Sequence, residues 1–203
     1  MLKLYGDSAS GNCYKIQLLL SFLEVSYKWI EVDIMVGETR TEAFLKMNPN
    51  GRIPLLELED GSHLAESDAI LFYLAEGTRF LPDDRLGRAR ALQWMFFEQY
   101  SHEPNIAVLR FWKLYAKKSR EDEPQWAARE KAGYAALDVM ERELATRDWF
   151  VGDKPSIADI ALYAYTHVAD EGGFDLLGYP AIRAWMARMA AQPGYVAMAK
   201  RRI

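Results

Sequence analysis

The stretch Leu2-Lys3-Leu4-Tyr5-Gly6-Asp7-Ser8-Ala9-Ser10-Gly11-Asn12-Cys13-Tyr14-Lys15 decides how the rest of the chain is read. Leu2 and Leu4 alternate with Lys3 and Tyr5, the period of a strand. Gly6 to Gly11 is a polar turn. Ile16, Leu19, Leu20 and Leu23 then recur at helical spacing, which predicts an amphipathic helix over about 12–24. Ser10 stands at its mouth. A hydroxyl there either caps the helix or, with the unpaired N–H groups and the positive end of the dipole, holds an anion. A thiolate is one such anion.

Outward from this stretch, Tyr27 to Val32 is rich in bulky and β-branched residues and reads as a second strand. A strand–helix–strand unit implies a parallel pair with a right-handed crossover. Thr41 caps a short helix to about Met47, and Asn48-Pro49-Asn50-Gly51 stops it. Arg52 to Leu58 reads as a third strand, and Asp60-Gly61 turns it into a return strand from His63. Ser67 caps a further helix through Ile70, Leu71, Tyr73 and Leu74.

After Gly77 the pattern changes to long helices. One is expected over about 85–118, kinked at Pro104, whose ring removes an N–H. A second runs from Gln125 to about Thr146. Ser156-Ile157-Ala158-Asp159 has the spacing of a capping box, and its helix reaches about Asp170. Gly172-Gly173 breaks it, Tyr179-Pro180 starts another helix, and Pro193 starts the last. The shift in pattern sets the expected domains: residues 1–76, a linker over 77–84, and an all-helical domain over 85–203.

The composition narrows the function. The chain has 203 residues and a net charge of −4, so no basic excess points to nucleic acid or to an anionic membrane. Lys200-Arg201-Arg202 is a short basic run at the end. No apolar run is long enough to span a bilayer, and no secretory leader is expected at the start. Cys13 is the single cysteine, which excludes an internal disulfide and a multi-cysteine metal site and fits a reducing, cytoplasmic compartment. Six Trp and eleven Tyr provide deep aromatic packing or a ligand cleft.

Strand, helix, strand, helix, hairpin and helix in this order resemble the thioredoxin-like plan. A proline before the third strand is cis in that plan, here Pro54. With Glu66-Ser67, the linker, Ser156-Ile157-Ala158-Asp159 and the helical second half, essentially the whole chain resembles a cytosolic glutathione transferase of the bacterial serine type, theta- or nu-like. The fold class implied is α/β plus all-α: an N-terminal thioredoxin-like domain followed by a C-terminal helical bundle.

The resemblance assigns roles. Ser10 gives a hydroxyl and Asn12 an amide to the sulfur of glutathione. Ile53 pairs its backbone with the cysteinyl part, beside Pro54. Glu66 takes the ammonium of the γ-glutamyl end and Ser67 its carboxylate. Arg52 faces the glycyl carboxylate. Two positions depart from the family: Thr39 stands where relatives carry His or Gln for the glycyl carboxylate, leaving Arg40 or Arg52 to replace it, and Gly11 follows Ser10 where several classes have Pro.

Glutathione is thereby implied as co-substrate, with no metal. Its partner is a small electrophile, peroxide or disulfide, in a homodimer. Glu98 or Gln99 would reach the glutathione of a second subunit, and His102 and Glu103 would line the substrate pocket. A polar cluster beside the Pro104 kink accounts for those residues as well. Arg110 or Phe111 would border the electrophile. Cys13 is read as a packed residue and Asp159 as a structural cap. Conjugation of an electrophile, reduction of a disulfide or peroxide, and a non-catalytic binding module remain the competing functions.

Overall fold

The computed structural model describes residues 1–199. The basic run Lys200-Arg201-Arg202 lies outside them. The chain divides into two compact units. One comprises Met1–Glu76 together with the segment that starts at Pro193, and the other Gly77–Gln192.

The first unit holds β1 (Leu2–Gly6), α1 (Gly11–Phe22), β2 (Tyr27–Glu31), α2 (Glu42–Met47), β3 (Leu55–Glu57), β4 (His63–Ala65) and α3 (Ser67–Ala75). Its sheet has the order β2-β1-β3-β4. β1 runs parallel to β2, with Leu4 opposite Trp29, and antiparallel to β3, with Leu4 opposite Leu56. β3 and β4 form the expected hairpin. This is the thioredoxin-like plan. The third strand is shorter than the expected 52–58, because Pro54 has no N–H to give a ladder.

The amphipathic reading of α1 is corrected. Cys13, Tyr14, Lys15, Ile16, Leu18, Leu19 and Leu20 are all fully buried. A helix apolar on nearly every face is covered on nearly every face. Only Asn12, Gln17 and Ser21 are partly exposed.

Among the described residues, no helix follows Pro193, where one was expected. Gly194 is left-handed, with φ +82°. Carbonyls there are satisfied by side chains of α1: Ser21 Oγ donates to the Gly194 carbonyl at 2.7 Å, and the Tyr14 hydroxyl donates to that of Val196 at 2.7 Å. These bonds group the segment with the first unit rather than with the helices that precede it.

The second unit holds α4 (Arg85–Phe97), α5 (Glu103–Leu114), α6 (Trp126–Leu144), α7 (Ile157–Thr166) and α8 (Pro180–Ala190). The single helix expected over 85–118 is interrupted by a π-helical turn, Glu98–His102, in which the Glu103 N–H donates to the Glu98 carbonyl. Pro104 explains the break, since it cannot donate and crowds the preceding turn. Side chains help satisfy the carbonyls near the break: Asn105 Nδ2 donates to that of Ser101 at 2.7 Å.

Every residue of α7 is buried, as suits a central helix. Its capping box forms despite the short acid. The Ser156 N–H donates to Asp159 Oδ2 at 2.8 Å, and the Ser156 hydroxyl accepts in return. Asp159 Oδ1 also accepts from the Phe150 N–H at 3.1 Å and the Trp185 indole N–H at 3.0 Å. A single carboxylate thus ties the helix start, the 149–155 connection and α8 together. Among the described residues, no helix is long and apolar enough to cross a membrane.

Candidate functional site

The first unit brings two helix starts together. α1 begins after Ser10, which has extended backbone (φ −81°, ψ 124°) and accepts the Cys13 N–H on Oγ at 3.4 Å. The turn before it is held by the buried Asp7, whose Oδ1 accepts from the Ala9 N–H at 2.9 Å while its carbonyl accepts from the Ser10 N–H at 2.9 Å. The hydroxyl therefore stands on a rigid turn at the positive end of α1.

α3 begins at Ser67, which is buried and donates its hydroxyl to Asn12 Oδ1 at 3.4 Å. The residue before it, Glu66, has φ +68°, the left-handed region that side chains rarely occupy. Such strain costs on the order of 1–3 kcal/mol and gathers at binding sites. It leaves the Glu66 side chain exposed beside Asn50, whose Nδ2 donates to Glu66 Oε1 at 3.4 Å.

The Ile53–Pro54 bond is cis. Ile53 is half-buried and packs on Val32, Phe44 and Leu55 with Tyr5, Met47 and Ala65. Arg52 is exposed, and its carbonyl is fixed by Asn48 Nδ2 at 2.8 Å. Arg40 is exposed too, with Nη1 donating to the Asn50 carbonyl at 3.2 Å. Thr39 is buried. Of the residues named for the glycyl carboxylate, Arg40 and Arg52 are therefore the accessible ones. Gly51 is left-handed, φ +60°, and a Cβ there would lie 2.6 Å from Arg40 Nη1, so the stop signal after α2 also makes room for that guanidinium.

Two further residues join the site. Lys15 is fully buried, and its ammonium donates to Ser67 Oγ at 3.2 Å and to Asp68 Oδ1 at 3.0 Å. The sequence did carry a signal for Lys15: a lysine inside a helix whose other positions are almost all apolar. Asp68 had none, since an acid in a first helical turn is an ordinary dipole partner. Cys13 is fully buried, and burial pushes its thiol up to about 12, against the opposing pull of hydrogen bonds from the Ser10 side chain and the Asp7 backbone. It is a packed, neutral thiol. Among the described residues, no group of three or more His, Cys, Asp or Glu gathers as a metal site would need.

In the second unit several expected site residues are corrected. Glu98 is fully buried and accepts from Gln99 Nε2 at 2.8 Å, so it does not reach out towards another subunit. His102 is fully buried, with Nε2 2.9 Å from Thr166 Oγ1. Thr166 gives its one hydroxyl hydrogen to the Leu162 carbonyl at 2.7 Å, so it accepts from His102, whose Nε2 carries the proton. Burial removes His102 from any open pocket. Arg110 is buried and paired with Glu171 at 2.6 Å. These groups form buried polar contacts beside the Pro104 break, in keeping with the polar-cluster reading of the stretch.

The sequence profile of the glutathione S-transferase N-terminal domain matches residues 1–76, and that of the C-terminal domain matches residues 105–193. The crystal structure of a glutathione S-transferase from Pseudomonas fluorescens is 57% identical and superposes with a TM-score of 0.96, covering 98% of this chain and 99% of that one. The disulfide-bond oxidoreductase YfcG of Escherichia coli is 32% identical over 201 residues, 95% of this chain and 92% of its own. The glutathione transferase URE2P8 from Phanerochaete chrysosporium, solved with oxidized glutathione, is 28% identical with a TM-score of 0.84, covering 95% of this chain and 90% of that one. A four-stranded thioredoxin-like unit, a helical second unit and these matches over nearly the full length have one common explanation: the chain belongs to the glutathione S-transferase family.

Proposed function

We propose that this protein binds glutathione in its first unit and delivers the thiolate to a small hydrophobic electrophile. The observation that carries this reading is the contact between Asn12 and Ser67, which sets the starts of α1 and α3 side by side. Two helix N-termini with hydroxyl and amide side chains form a donor-rich surface suited to a ligand with two anionic ends. The backbone N–H groups at the α3 start, that of Ser67 first among them, take the γ-glutamyl carboxylate, and Glu66 takes the ammonium. The backbone of Ile53, beside Pro54, pairs with the cysteinyl part, and Arg52 and Arg40 face the glycyl carboxylate. Ser10 and Asn12 donate to the sulfur.

Free glutathione is mostly a thiol at pH 7, since such groups ionise near ~8.5. Charge-assisted bonds from Ser10 and Asn12 stabilise the thiolate by on the order of 1.5–3 kcal/mol each. The thiolate then attacks the electrophilic carbon, a carbon–sulfur bond forms, and the leaving group departs with the electron pair of the broken bond. Ser10 acts throughout as a donor, neither nucleophile nor base.

The 32% identity to a disulfide-bond oxidoreductase favours a second reading, glutathione-dependent disulfide reduction. One glutathione thiolate attacks the disulfide and releases a thiolate. A second then attacks the mixed disulfide, giving oxidized glutathione and the second thiol. Cys13 is too deeply buried to serve as the resolving sulfur, so both electrons come from the two glutathiones. Turnover with chlorodinitrobenzene, an alkyl peroxide and hydroxyethyl disulfide separates the readings. No glutathione binding by calorimetry overturns both.

We further propose that the chain pairs with a second copy. Phe96 and Tyr100, 70% and 88% exposed, support this as apolar surface on the second unit. Sedimentation showing a monomer at micromolar concentration overturns it.

A further inference from the structure

Lys15 places a charge inside a helix that is covered on nearly every face, where burying an unpaired ammonium costs several kcal/mol by general estimate. Its partners explain what it does there. An ammonium can only donate, and it donates to Asp68 Oδ1 at 3.0 Å and to Ser67 Oγ at 3.2 Å. Ser67 Oγ accepts that hydrogen bond and has one hydrogen of its own, which it donates to Asn12 Oδ1 at 3.4 Å. An amide whose oxygen is pinned in this way presents its nitrogen on the opposite side. We propose that Lys15 is a positioning residue: acting through the Ser67 hydroxyl, it fixes the Asn12 amide so that Nδ2, the donor, is the end offered to the sulfur of a bound thiol.

The inference rests on the glutathione reading above and adds direction to it. Without the ammonium, the Ser67 hydroxyl can donate or accept equally well, and the Asn12 amide loses its preferred orientation. An amide oxygen turned towards a thiolate repels the charge that the nitrogen would hold. Asp68 supplies the countercharge within the same unit, and its other oxygen, Oδ2, is buried without a hydrogen-bond partner among the described residues. Removing Lys15 alone would strand that carboxylate. The test therefore removes both, because replacing a buried ion pair with apolar groups is often neutral for folding.

The measurement is the ultraviolet absorbance of enzyme-bound glutathione thiolate as a function of pH, in four proteins: wild type, Lys15→Met/Asp68→Leu, Asn12→Ala, and the triple variant. We expect the pair variant to raise the pKa of the bound thiol by about one unit, a tenfold loss of thiolate at fixed lower pH. In the Asn12→Ala background the same pair should add nothing. A merely structural role would lower the melting temperature and leave the titration in place. An unmoved titration in a pair variant that still binds glutathione overturns the relay alone, as does a shift that adds in full to that of Asn12→Ala. Absence of glutathione binding by the wild type overturns the reading of the site and the relay with it. A wild-type structure with glutathione bound tests the relay without any variant. Sulfur beside Nδ2 with Oδ1 held by Ser67 supports it, and Ser67 turned away from Asn12 overturns it.

Discussion

Gly6 and Cys13 touch so closely that a Cβ on Gly6 would stand 2.7 Å from the Cys13 sulfur. The end of β1 and the first turn of α1 are locked together through this contact, and the thiol is sealed beneath the turn that carries Ser10.

The seal makes Cys13 chemically silent. Its thiol is pushed up to about 12, so it stays neutral through ordinary working pH. Because the folded value lies above the unfolded one, its contribution to stability is full below about pH 9 and is lost as pH rises towards 12. The native protein should not react with an aromatic disulfide reagent at pH 8, and one thiol should appear in denaturant. Cys13→Ala should keep glutathione-dependent turnover within about twofold while costing ~1–2 kcal/mol of stability in urea titration. A large loss of turnover in that variant would give the thiol a role it lacks here.

Gly6→Ala tests the same contact from the other side. The added methyl also meets the Trp29 ring, at 2.9 Å. Overpacking of this kind costs about 1–3 kcal/mol. Adding Cys13→Ala should recover part of that loss and leave the Trp29 clash, a pattern that a double-mutant cycle in denaturant resolves.

At the glycyl end of the proposed glutathione site, the residues assigned to the carboxylate that are exposed are Arg40 and Arg52. Arg40→Ala and Arg52→Ala should each raise KM for glutathione about three- to tenfold, as the loss of a solvent-facing charged contact implies, with kcat nearly unchanged. Ser10→Ala should show the opposite split, lowering kcat about ten- to a hundredfold for the loss of one charge-assisted donor. It should also cost on the order of 1 kcal/mol of stability, since Ser10 caps α1 as well. Steady-state kinetics with glutathione as the varied substrate distinguishes the two patterns.

Asp159 governs stability in the second unit. Burial, opposed by its hydrogen bonds, pushes its carboxyl from 3.8 up to about 6. The folded form holds the proton more tightly than the unfolded one, so the Asp159 contribution is greatest below about pH 4 and falls as pH rises to about 6. Asp159→Ala leaves the N–H groups of Phe150, Ser156 and Trp185 without their acceptor and should destabilise by on the order of 3–5 kcal/mol. That penalty should be larger at pH 4 than at pH 7 by about 2–3 kcal/mol. Urea titrations of both proteins at the two pH values check the size and the sign.

Much of this was legible in the chain. The alternation of Leu2-Lys3-Leu4-Tyr5, the Asp60-Gly61 turn and the caps Ser10, Thr41 and Ser156 are local signals, and the structure uses each as a sequence reading expects. The π-turn was not legible, because Pro104 announces a break without saying how neighbouring carbonyls will be satisfied. The burial of Glu98 and His102 was equally hidden, since a Glu-x-x-x-His pattern looks the same on a wet face as inside a bundle. The Pro193 segment misled for a related reason: proline opens helices, but here Tyr14 and Ser21, far back in the chain, claim the carbonyls a helix would need.

Local patterns in the chain set the order of the strands and of most helices, and the residue types at most helix starts. Those depend on backbone preferences and periodicities within a few residues. Only the tertiary structure decided that Ser67 lies against Asn12, that Lys15 stands beneath both, and that Thr39 is enclosed while Arg40 is open. Such pairings join residues more than fifty positions apart or turn on which face of a loop is covered. They are set by how β1, β3 and the helices pack, which no local pattern encodes.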